Sequence, residues 1–229
     1  TLDGKGYTIS NLRIDRTDEN QGLFATIFYG GTVKNLTIKG VKIDATSIDC
    51  IGAIAGKCQW YTPLITNCKV VFTADSYIKG KDYVGGVVGY AETSDSIDIY
   101  DCSVEGQAAN VAISGNNYVG GVVGKLRGRF NVEGCRVLAN ISGAKYIGGI
   151  CGYSDDEYYP HTTCRIEENS FTGILSADSY VGGIVGECHY GKSIQACTSK
   201  AEIHVETGYA GGIVGCLYDT SIIACYSDG

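Results

Sequence analysis

The sequence predicts an all-β protein, a parallel β-solenoid of about seven coils with three short strands per coil. Three observations predict it: a glycine-rich phrase returning about every 32 residues, a second phrase trailing it, and a composition that favours strands. The first phrase is Y-[VIA]-G-G-[VI]-[VC]-G. It stands complete at residues 83–89, 118–124, 146–152, 180–186 and 209–215, with 50–56 (CIGAIAG) and 22–25 (GLFA) as degraded copies. Each copy marks one coil.

The second phrase, [VI]-x-x-C, follows about ten to thirteen residues later, at Ile65 to Cys68, Ile99 to Cys102, Val132 to Cys135, Ile194 to Cys197 and Ile222 to Cys225. Leu36 and Asn169 fill the cysteine place in the other two coils. A unit of this length could be a helical pair, but the units lack helical amphipathicity and are punctuated by glycine. Each reads as strand, turn, strand, turn and a third β-rich stretch such as 110–113 or 201–205. A propeller blade needs four strands and a longer unit.

Stacking coils at roughly 4.8 Å would give a rod about 30 to 35 Å long and bring equivalent residues into columns. The phrase's Val and Ile positions form inner aliphatic columns, and its tyrosines (Tyr83, Tyr118, Tyr146, Tyr180, Tyr209) a stacked column that steadies neighbouring coils. The cysteines of the second phrase form a column interrupted by Asn169.

Composition fits this architecture and closes off other classes. The chain has 229 residues, 44% of them apolar, with 33 Gly, two Pro and no Met, so a core exists and disorder is excluded. Its net charge of −7 is scattered without a basic stripe, which argues against nucleic acid. No run approaches the roughly 18 apolar residues of a membrane helix. The chain opens at Thr1 inside a lead-in strand and stops shortly after Cys225, so it is expected to be a single solenoid domain, 1–229, excised from a longer protein whose export signal and anchor lie elsewhere.

Eleven cysteines, an odd number with no C-x-x-C pair, suit a reduced core better than a disulfide framework. In an in-register stack the Cβ vectors of neighbouring cysteines run side by side, which is poor bridging geometry. Cys188 and Cys216, close behind their glycine phrases in consecutive coils, form the better candidate pair.

Catalytic, cofactor and metal sites are not evident. The three histidines share no spacing, and only His161 with Cys164 has a ligand-like separation, short of the three or four ligands zinc requires. The densest acidic group, Asp155, Asp156 and Glu157 followed by Tyr158 and Tyr159, sits in the longest insertion between the two phrases. It is the candidate ligand-binding loop, since loops on rigid scaffolds carry function.

The phrases resemble the GLUG repeats of bacterial surface proteins, which also occur in noncatalytic regions of immunoglobulin A protease-like proteins. The residues that carry the resemblance are Gly22-Leu23-Phe24-Ala25, the Y-V-G-G-[VI]-V-G copies, Ile65-Thr66-Asn67-Cys68, and the lead-in that runs from Leu2-Asp3-Gly4 to Asn11-Leu12. The resemblance implies a right-handed β-helix on an exported, adhesin-like protein, extracellular at the cell surface, with no chemistry in the repeats. A zinc-protease helix of the H-E-x-x-H type is absent from this sequence. The expected function is therefore a noncatalytic stalk or adhesin-like module, with no cofactor, that binds a host glycan or surface protein. The alternatives are a carbohydrate-active β-helix enzyme, which would need clustered carboxylates, or the accessory region of a surface protease.

Overall fold

The computed structural model describes residues 1–106, 111–155 and 164–229. Among them there is no helix, and the strands pair in parallel within three long sheets. The third coil shows the path. Asp82–Gly85 lies in the six-stranded sheet, Val88–Tyr100 crosses the 11-stranded sheet, and Ser103–Glu105 and Val111–Ser114 line the 13-stranded sheet before Asn117–Gly120 starts the next coil. The expected three strands per coil correspond to these three sheets. Two of the sheets bend, so a coil contributes to each of them twice; in Val88–Tyr100 the bend is a register shift between Thr93 and Ile97.

The register superposes the phrases coil on coil. Val84 pairs with Ile51 and Val119, and Ile147 with Val119 and Val181, so the phrase's aliphatic position forms one inward column. A second column joins Val33, Ile65, Ile99, Val132, Ile166 and Ile194. A third runs from Ile14 through Ile43, Ile78, Ile113 and Ile141 to Leu175 and Ile203. Most of these side chains are fully buried and belong to one contiguous core. Burying each is worth about 1.5–3 kcal/mol, and β-branched shapes suit the pleat.

Corners are made by single residues in the left-handed region. The phrase tyrosines Tyr83, Tyr118, Tyr146 and Tyr180 have φ of 57° to 62°, and Asn35 and Asn67, just before the cysteine place, have φ of 54° and 50°. Asparagine tolerates this conformation; tyrosine does not readily. The tyrosines are compensated by ring stacking at centroid separations of 5.1 Å (Tyr83 to Tyr118), 5.0 Å (Tyr118 to Tyr146) and 4.8 Å (Tyr146 to Tyr180). The asparagines form their own ladder, Asn67 Nδ2 donating to Asn35 Oδ1 (2.8 Å) and Asn35 Nδ2 to Asp3 Oδ1 (3.0 Å).

The double glycine has a steric cause. A Cβ on Gly149 would lie 2.2 Å from the carbonyl oxygen of Gly183 in the next coil and 2.3 Å from the Phe171 ring across the core. Gly106, by contrast, would meet nothing nearer than 3.5 Å. Gly149→Ala should therefore cost at least the roughly 1–3 kcal/mol of ordinary overpacking, because a backbone carbonyl cannot rotate aside, whereas Gly106→Ala should leave stability within about 0.5 kcal/mol. Urea denaturation of the two variants checks this; equal midpoints would contradict the account.

Candidate functional site

Chemistry-bearing side chains gather on the outer face of the first strand after each glycine phrase. Alternation along that strand sends every second residue outward, and the parallel register stacks those residues in two rows. The inner row runs Lys57, Tyr90, Lys125, Tyr153 and Glu187, beside the tyrosine corners; the outer row runs Gln59, Glu92, Arg127, Asp155 and His189. Like charges are not stacked on one another here, since Tyr90 separates Lys57 from Lys125 and Arg127 separates Glu92 from Asp155.

Opposite charges connect the rows across coils. Lys57 Nζ lies 3.9 Å from Glu92, Arg127 reaches Glu92 at 3.4 Å and Asp155 at 3.7 Å, and Lys125 Nζ lies 3.2 Å from Asp155. Lys125 also sits over aromatic rings, 5.2 Å from the centroid of Tyr118 and 4.8 Å from that of Tyr153. Burial among these rings pushes the Tyr90 and Tyr153 phenols well above their ordinary range, with nearby carboxylates adding to the shift. They remain neutral hydrogen-bonding groups at physiological pH.

Asp155 belongs to this network rather than to a free loop. It is the last residue of the strand Cys151–Asp155, and its side chain is only 13% exposed between Lys125 and Arg127. The rest of the acidic group, Asp156, Glu157, Tyr158 and Tyr159, lies outside the described residues, as does His161. The other two histidines point to different faces. His189 Nε2 contacts Glu187 Oε1 at 2.5 Å and its ring packs 4.3 Å from Tyr218, while His204 Nε2 contacts Glu202 Oε1 at 2.9 Å. Among the described residues no three His, Cys, Asp or Glu side chains converge as a metal site would require.

The cysteine column stands as expected, and the structure explains its interruption. Cys68, Cys102, Cys135 and Cys197 each direct the thiol at the carbonyl two residues back and at one in the preceding coil: Val33, Ile65, Ile99 and Ile166, respectively, at 3.4 to 3.8 Å. Asn169 does the same work with a stronger donor. Its Nδ2 donates to Val132 O (2.8 Å), and its Oδ1 accepts from the Cys135 amide (2.9 Å). Five coils place a thiol and one an amide donor at this position, while the first coil fills it with the buried aliphatic Leu36.

All eleven cysteines are free thiols. The pair Cys188 and Cys216 is one residue out of register: Cys188 faces Leu217, and Cys216 faces Glu187. Side chains alternate across a strand, so the two thiols lie on opposite faces, Cys188 inside and Cys216 outside, which does not suit a bridge. Cys188 instead accepts from Ser154 Oγ at 3.1 Å.

Sequence reasoning missed one feature. Phe28, Tyr29, Trp60 and Tyr61 cluster on the turns that follow the same strands in the first two coils, all exposed. The signal was the density of aromatics at 28–29 and 60–61, which lie between the two repeated phrases and so drop out of a reading built on them.

Comparison with known proteins agrees with this geometry. Residues 82–111 match the GLUG motif. Halomucin of Haloquadratum walsbyi is 38% identical over 92 residues, which is 39% of this chain and 1% of halomucin, so the chain corresponds to a very small part of that protein. The crystal structure of a presumed immunoglobulin A1 protease from Bacteroides ovatus superposes with a TM-score of 0.62 at 18% identity, covering 96% of this chain and 68% of that one, which establishes a shared fold. Among the described residues no helix is long and apolar enough to cross a membrane.

Two solution outcomes follow from the thiol geometry. Titration of the native protein with a thiol reagent should modify only the half-buried Cys216 and Cys225 quickly, and all eleven after denaturation; fast reaction of Cys58 or Cys151 would contradict the packing. Burial pushes the thiols of Cys50, Cys58 and Cys197 up to about 12. Their folded pKa is raised, so the unfolded chain loses these protons first, and the stability they contribute is complete below about pH 9 and lost towards pH 12. Thermal melting from pH 7 to 11 should show the midpoint falling only above about pH 9. The GLUG match spans both phrases of the third coil, and the strand register superposes the equivalent residues of the neighbouring coils on it.

Proposed function

We propose that residues 1–229 form one domain of a longer extracellular protein, a noncatalytic, surface-associated rod that binds a host glycan or surface protein through its lateral face. One observation carries this reading. Each coil has an inside that barely changes, columns of Val, Ile and Cys, and an outside that changes from coil to coil, as the Lys57, Glu92, Arg127 and Asp155 network does. A scaffold of this kind holds side chains rigidly without enclosing a reaction volume. The likeness to GLUG-repeat proteins supports a place at the cell surface, and the far greater length of halomucin supports a longer parent protein.

Two measurements test the reading. Labelling intact source cells with a membrane-impermeant amine reagent should recover labelled peptides of this chain; recovery only after lysis would remove the surface placement. The purified chain, offered a polysaccharide panel in lyase and hydrolase assays, should turn over none. Turnover of any of them, lost in Asp155→Asn or Asp156→Asn, would establish an enzyme instead.

A further inference from the structure

We propose that the exposed turns of the first three coils, aromatic in the first two, form a carbohydrate-binding site that takes a neutral sugar ring on Tyr29, Trp60 and Tyr61 and holds its hydroxyls with Ser94 and Asp95. The assignment deepens the binding role proposed above and rests on it for the origin of the ligand.

Three consecutive turns build the site. In the first coil the strand Phe24–Phe28 runs into Tyr29, in the second Ala55–Gln59 runs into Trp60 and Tyr61, and in the third Ser94 and Asp95 occupy the same bend. Together Tyr29, Trp60, Tyr61, Ser94 and Asp95 line a hollow of about 340 Å³. That volume lies at the small end of ligand sites, about 300–1,000 Å³.

The rings are turned to solvent although rings are normally buried: Phe28 is 41% exposed, Trp60 52%, Tyr61 57% and Tyr29 66%. They remain exposed on a strained backbone. Tyr29, Trp60 and Tyr61 have φ of 50°, 62° and 57°, a conformation bulky residues adopt only when the surroundings impose it. The buried Thr93 hydroxyl fixes the arrangement from beneath, donating to Tyr61 O (2.8 Å) and accepting from the Asp95 amide (3.1 Å). One buried side chain thus ties the aromatic turn to the acidic one.

Ring separations select the ligand. Tyr29 lies 5.6 Å from Trp60 and 5.3 Å from Tyr61, and Phe28 5.4 Å from Trp60, centroid to centroid. Rings this close touch each other, so they form a continuous platform rather than a box around a cation, which would need room between the faces. A ligand must lie on the platform and offer it an apolar face while offering hydroxyls to its rim. The apolar C–H face of a pyranose does so. Among the described residues the Asp95 carboxylate makes no hydrogen bond or ion pair; it accepts hydrogen bonds from hydroxyls readily and repels acidic sugars.

Trp60 is the chain's sole tryptophan, so its emission reports on the site directly. The experiment titrates the purified chain with neutral gluco-, galacto- and manno-oligosaccharides, and with choline chloride as the cationic rival, while following tryptophan fluorescence. The expected result is a saturable blue shift with at least one oligosaccharide, weakened at least tenfold in Tyr61→Ala and in Asp95→Asn and unchanged in Tyr226→Ala, an exposed tyrosine on another sheet. All four proteins should melt within a few degrees of one another, since the altered side chains are exposed. Saturation by choline alone, no saturable change with any sugar, or binding within twofold of normal in both site variants would overturn the assignment. A glycan that binds with these variants unaffected would remove this site and leave the lateral-face reading standing, whereas failure of cell-surface labelling would remove that reading and leave the sugar titration intact.

Discussion

In-register parallel pairing makes every residue its own neighbour one coil away, and the rest of this molecule follows from that constraint. A position compatible with stacking on itself can recur without limit; one that is not must change from coil to coil or be replaced. Val and Ile recur inside because branched aliphatics pack on copies of themselves at the strand spacing. Glycine recurs in the phrase because the carbonyl of the next coil lies about 2 Å from where a Cβ would stand, as at Gly149 and Gly121. Tyrosine recurs at the corner because rings about 5 Å apart stack. Like charges directly opposite one another are unfavourable, and the two outer rows after the glycine phrases mix Lys, Glu, Arg, Asp and aromatic side chains.

The corners show how a local cost is held by a collective gain. A tyrosine in the left-handed region costs on the order of 1–3 kcal/mol, and four corners in succession adopt it. Each gains ring contacts with a phrase tyrosine of at least one neighbouring coil, a contribution that one isolated coil could not make. The asparagine corner solves the same problem without strain, through a ladder that ends on Asp3. Repeats of this type are thus stable only as arrays.

This division explains what could be read from the sequence. Self-similarity exposed the columns, so the seven coils, the tyrosine stack and the cysteine column broken at Asn169 were all legible. Faces were harder. Cys188 stands eight residues after its phrase tyrosine and Cys216 seven after its own, and that single residue places them on opposite sides of the strand. Asp155 read as a loop residue because acidic residues follow it, yet the strand extends far enough to pin it between Lys125 and Arg127. The aromatic turns at 28–29 and 60–61 escaped a reading built on repetition, since they occur in two coils and their neighbours in the third coil are Ser94 and Asp95.

Function in such an array must reside where repetition fails, and the two surfaces that depart from it differ in kind. In the ion-paired rows the departures satisfy each other: Lys125 and Arg127 are already paired with Asp155, and a ligand there would have to compete with ion pairs fixed by the register. At the aromatic turns the departures are left open, with rings in solvent, a carboxylate at the rim and a backbone that stacking does not relieve. An unsatisfied surface loses less on binding, because fewer existing contacts are broken when a partner arrives. Within the lateral face the ion-paired rows therefore contribute chiefly to joining coil to coil, and the aromatic turns are the part best prepared to hold a ligand.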